Sequence, residues 1–277
     1  MTSFKGDARG WLWLTAPVVL LLFIAAGSGI LFGAQLYTRV PPNILAQALG
    51  QDLFFLLVSL PGLVISAIRA GRGSLRARMV WLGILGYLLY TYAFLAFNVH
   101  FNILFLVYVG LLGCSAYAFL GGILGMKIER LTPGDNKDHT AKVVSIFLVM
   151  VMVLFYVNWL SELVPALWLG DVPRLVRELG VPAYAIHVLD MAFLLPAFGI
   201  SAWGLWRRKP WGMLSAGVLL ILILTLGGEI LTLSAVEWLA GFPVPAGRFI
   251  LYAVLLLIDP ILSIGYLKRI PAELPHP

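Results

Sequence analysis

Residues 87–117 read YLLYTYAFLAFNVHFNILFLVYVGLLGCSAY. Two long apolar, aromatic runs flank a short polar joint, Asn98-Val99-His100-Phe101-Asn102. An apolar run of about 18 or more residues with few charges can cross a bilayer as a helix. The stretch therefore predicts two spanning helices joined by almost nothing, with two amides and a histidine where they meet.

The rest of the chain repeats this texture. Hydrophobic residues make up 61% and charged residues 12%, about half the charge of a typical soluble domain. The apolar residues come in blocks, and eight blocks are long enough to span. The fold class predicted is all-α, a polytopic membrane helix bundle of eight transmembrane helices. Its partner is the lipid bilayer. The 19 Lys and Arg are dispersed among short loops, so the net charge does not point to nucleic acid. The single cysteine, Cys114, lies inside a span and reads as a packing thiol.

The predicted spans run over 11–33, 44–68, 79–97, 101–125, 143–163, 184–206, 211–236 and 247–267. The apolar run of the first is longer than the core of a signal peptide, so a retained helix is expected. Between the fifth and sixth spans, the stretch from Val172 to Leu179 places Leu175, Val176 and Leu179 on one helical face. That pattern predicts a short amphipathic helix on the membrane surface.

Loop charge sets the expected orientation. With the N-terminus inside, fifteen of the 19 Lys and Arg fall on cytoplasmic segments. Only Arg39, Arg174, Arg177 and Arg248 fall on outer ones. This is a positive-inside bias, and it puts both termini in the cytoplasm of a plasma or inner membrane protein.

Leu60-Pro61-Gly62-Leu63-Val64-Ile65-Ser66-Ala67 resembles Leu195-Pro196-Ala197-Phe198-Gly199-Ile200-Ser201-Ala202, and each leads into a basic turn. A four-helix displacement between them predicts two parallel halves, 1–125 and 142–277, joined by a cytoplasmic loop over 126–141. Pro61 and Pro196 are expected to kink their helices.

Ionisable residues in hydrocarbon are costly and normally face the bundle interior or a wet cavity. Asp52, His187, Asp190, Glu229 and Asp259 fall within predicted spans, Asn158 and Glu162 at the end of the fifth, and Asn98, His100 and Asn102 at the joint. At 1.5 Å per residue, Asp190 and Glu229 lie roughly 10 Å below the outer ends of their helices and Asp259 about 17 Å in. These ten residues are the candidate binding set. The expectation is an acidic pocket open to the outside with His100 at its rim. Asn98 and Asn102 are expected to satisfy backbone groups freed at the joint. Asp52, Glu162 and Glu237 sit near enough to the interface to be hydrated there. The Tyr87, Tyr90, Phe94, Phe97 stripe reads as packing, Trp159 as part of an interfacial aromatic belt, and glycines such as Gly83 as close helix packing.

No motif assigns a cofactor or catalytic residue: HExxH, CxxC, a phosphate-binding glycine loop and GxSxG are all missing from the sequence. Three function classes remain. A small transporter or permease would couple to a proton or small cation at the carboxylates, with Asp259-Pro260 as one cation site. An intramembrane enzyme acting on a lipid or isoprenoid would pair a carboxylate with His100 or His187. An assembly or sensor subunit would bind another membrane protein.

Overall fold

The computed structural model describes residues 10–37, 40–126, 128, 139–181 and 183–271. Of the described residues 87% are in helix and none is in a strand. The eight long apolar helices are α1 (Gly10–Leu36), α2 (Pro42–Gly71), α3 (Leu75–Asn98), α4 (Phe105–Leu124), α5 (His139–Leu169), α7 (Ala185–Trp206), α8 (Pro210–Leu239) and α9 (Ala246–Arg269). The short α6 (Arg174–Leu179) lies between α5 and α7. Of its predicted apolar face, Val176 is buried, while the Leu175 and Leu179 side chains lie outside the described set. So does most of the 126–141 loop.

The chain is a multi-pass membrane protein by these helices, and its surface agrees. Large apolar side chains such as Phe97, Leu124 and Ile261 are exposed around the bundle, where lipid rather than water suits them. α3 and α8 are the two most buried spans and pack on each other at the centre. A Cβ at Gly83 of α3 would collide with Ile221 of α8, so this contact requires glycine.

Polar bonds between helix ends fix which ends share a face. Asn98 Oδ1 accepts from Ala185 N–H at 2.9 Å, tying the end of α3 to the start of α7. Arg76 donates to the Ile270 and Lys268 carbonyls at 2.7 and 2.9 Å, tying the start of α3 to the end of α9. The first face carries the charge-poor connections, the second the basic ones.

The two Leu-Pro segments fold alike. Phe55–Ser59 and Asp190–Leu194 are each one π-helical turn. Each is followed by twelve α-helical residues with proline second, Leu60–Gly71 and Leu195–Trp206. The chain thus widens for one turn before each proline and continues as helix. Neighbour relations also recur. Helix α1 packs on α2 and α4, α2 on α3, and α3 on α4; α5 packs on α7 and α9, α7 on α8, and α8 on α9.

Several boundaries differ from expectation by a turn or so, and three are informative. α4 starts at Phe105 rather than at Phe101, because the Asn102 side chain accepts from Leu104 N–H at 2.9 Å and holds a turn there. α5 runs six residues past Leu163, through Pro165. One lost backbone bond does not end a helix whose last turn is exposed and free of packing conflicts. α1 departs from helical geometry at Phe32 but closes a final turn, with Tyr37 N–H donating to the Gly33 carbonyl.

Candidate functional site

The polar residues form two clusters on either side of α3. The first lies among α1, α2, α3, α4 and α8. Asp52, on α2, is 5% exposed, and the Tyr37 hydroxyl donates to its Oδ2 at 3.1 Å. Gly29 on α1 allows this approach, since a Cβ there would collide with the Asp52 carboxylate. Asp52 lies within electrostatic range of Glu229, which is 3% exposed on α8. The Gln51 amide and Tyr87 hydroxyl face Glu229, and Ser59 faces Tyr87. Within this group Glu229 Oε1, Tyr87 OH and Ser59 Oγ are buried without a hydrogen-bond partner.

The second cluster lies among α3, α5, α7 and α9. Asp190 opens the second π turn and is 6% exposed. Both of its oxygens accept hydrogen bonds, Oδ1 from Tyr90 OH at 2.8 Å and Oδ2 from the Trp159 indole N–H at 2.7 Å. The Tyr156 hydroxyl donates to the Met191 carbonyl at 2.9 Å, which satisfies a backbone oxygen of the π turn. His187 stacks edge-on against Trp159 and Tyr184, with ring centroids at 4.8 and 5.2 Å. Its buried Nε2 lies 3.7 Å from Glu162 Oε2 and closes no hydrogen bond. Tyr252 of α9 lies within electrostatic range of both Asp190 and Glu229, so it stands between the clusters.

A cavity of about 290 Å³ opens on the charge-poor face, lined by Gln35, Tyr37, His100 and Asn102 with apolar neighbours. Tyr37 is both its wall and the donor to Asp52. His100 is exposed at this rim.

The structure therefore distributes the ten candidates as follows. Asp52 and Glu229 share one cluster, while Asp190, His187 and Glu162 share the other. His100 and Asn102 line the mouth, and Asn98 caps α7. Asp259 is fully buried, and among the described residues the Ser263 hydroxyl donates to its Oδ2 at 3.4 Å while Oδ1 has no partner. Asn158 is exposed on α5, its carbonyl accepting from Ser161 at 2.7 Å. Among the described residues no Lys or Arg pairs with Asp52, Asp190, Glu229 or Asp259, and no three of His, Cys, Asp or Glu lie close enough together to hold a metal ion.

Several side chains carry roles that their sequence pattern did not suggest. Tyr87 and Tyr90, three apart on α3, aim hydroxyls at different carboxylates rather than only packing. The Trp159 indole N–H also donates to Asp190. Asp52 is buried rather than hydrated. So is Glu237, 2% exposed, whose Oε2 pairs with Arg248 at 2.9 Å. Tyr37, Gln51, Ser59 and Tyr252 were absent from the expected set, because neutral residues near a helix end or mid-span carry no signal of what they face. The chain matches no protein-family model, no curated protein and no solved structure.

Proposed function

We propose that this protein is a small proton- or cation-coupled transporter, built from the four-helix halves 1–125 and 142–277 and entered from the outer, charge-poor face. One observation carries the reading. Asp52, Asp190 and Glu229 are buried in the bundle and, among the described residues, are faced by hydroxyl, amide and indole groups instead of by Lys or Arg. A carboxylate in such a setting is neutralised by a proton or a mobile cation, because an unpaired charge in a low-dielectric interior is too costly to keep. Neutral partners suit both the loaded and the unloaded state, whereas a resident Arg would hold the charge permanently.

The architecture supports the same reading. The π turns stand beside Asp52 and at Asp190, and such turns occur often at functional sites. Both clusters use helices from the two halves, α2 with α8 and α3 with α7, so sliding of one half against the other would change how each carboxylate is faced. Inserted parallel repeats with sites at their interface are a recurring transporter design.

The test uses the full chain in liposomes carrying an entrapped pH-sensitive dye. An imposed proton or sodium gradient is expected to drive a change in lumenal pH that Glu229→Gln and Asp190→Asn each abolish. Absence of flux under every gradient, or full flux in both variants, contradicts the reading.

A further inference from the structure

We propose that a hard monovalent cation of the sodium class binds among Glu229, Ser59, Tyr87 and Gln51, beneath Asp52. The donors come from three helices: Gln51 and Ser59 from α2, Tyr87 from α3 and Glu229 from α8. Ser59 and Tyr87 are fully buried and Glu229 nearly so. Tyr87 OH faces both Glu229 and Ser59, and Glu229 Oε1, Tyr87 OH and Ser59 Oγ are buried and close no hydrogen bond. Buried polar atoms are almost always paired, and three unpaired oxygens around one tyrosine call for a shared partner.

The donor set selects the partner's class. It contains carboxylate, hydroxyl and amide oxygens and no histidine or sulfur, so it favours a hard cation over a transition metal. Its charge selects one elementary unit, because Glu229 is the one carboxylate among the four donors. Calcium requires six to eight oxygens, commonly from several carboxylates, and among the described residues no such acidic group converges.

The cavity lies on the Asp52 side of the site. The cavity on the charge-poor face is lined by Tyr37, Tyr37 binds Asp52, and Asp52 lies within electrostatic range of Glu229. A cation entering from that side meets neutral oxygens at the mouth, then the Asp52 carboxylate, then the Glu229 group. Ser59 closes the first π turn, so the wide turn delivers one of the donors.

The inference rests on the transport reading for the ion's purpose, but its test does not depend on flux. The full chain is purified in detergent and melted in sodium chloride and in choline chloride at equal concentration. Sodium is expected to raise the melting temperature by several degrees in a saturable way. Glu229→Gln and Ser59→Ala are each expected to remove that rise, and Cys114→Ala is expected to keep it. Ser59→Ala removes one hydroxyl and guards against misfolding of the carboxylate variant. Identical melts of the wild type in both salts overturn the site, as does a sodium-dependent rise retained in both variants. A sodium-dependent rise without ion flux leaves the site standing and overturns transport; flux without that rise does the reverse.

Discussion

A Cβ at position 29 would land on the Asp52 carboxylate, whereas one at Gly27 would meet nothing within 4 Å. Gly29→Ala is therefore expected to destabilise the protein by about 1–3 kcal/mol, the usual cost of forcing atoms into packed space. Gly27→Ala is expected to be neutral or slightly stabilising, since alanine is the better helix former. Thermal melts of the two variants check the contrast, and equal melts contradict it. Asp190 offers a second residue-level test. Tyr90 and Trp159 hold its two oxygens, so Tyr90→Phe is expected to cost about 1–3 kcal/mol by leaving a buried acceptor short of a donor. The same change in an Asp190→Asn background is expected to cost measurably less, with a coupling of at least ~0.5 kcal/mol. Additive losses would mean that the 2.8 Å contact carries no energy. The difference between these tyrosines and their neighbours was not legible in the sequence. Tyr87, Tyr90, Phe94 and Phe97 share a helical stripe, and helical spacing specifies a face without specifying what the facing helix presents. Phe97 meets the exterior, Phe94 packs edge-on against Tyr184, and only the tyrosines reach carboxylates.

At the scale of elements, the turn between α8 and α9 is closed by Arg248 and Glu237. Glu237 is almost wholly buried, so Arg248→Ala is expected to cost about 3–5 kcal/mol, because it strands a buried charge. Replacing both residues by apolar ones of similar size is expected to recover most of that loss. Denaturation of the single and double variants in detergent measures this, and a double variant as weak as the single would contradict it. The eight spans themselves were legible in the sequence because length and hydropathy are properties of one segment and need no knowledge of neighbours. Their ends were less so. Asn102 holds a turn where an apolar run suggested helix, and α5 passes through Pro165, which reads as a terminator. The two π turns left no mark except the Leu-Pro pairs that follow them, because a widened turn is set by how the helix packs rather than by one residue type.

For the whole molecule, the two Leu-Pro segments lie 135 residues apart, and so do Gly83 and Val218, which meet where α3 crosses α8. Equivalent positions touching at the centre are what two parallel halves about an axis along the membrane normal would give, and the recurring neighbour relations agree with it. Gly83→Val is expected to force α3 and α8 apart and to disturb both carboxylate clusters at once. A resemblance of eight residues suggested this arrangement, but the convergence of Asp52 with Glu229, and the separate surroundings of Asp259, depend on which faces meet. The central claim is that buried carboxylates without basic partners bind and move a cation across the bilayer. The most direct measurement is the transient current of the reconstituted full chain on a supported membrane after a rapid jump in sodium or proton concentration. The account predicts a charge displacement in the wild type that Glu229→Gln abolishes, and that Cys114→Ala leaves intact. No displacement in the wild type, or an equal one in Glu229→Gln, would contradict it.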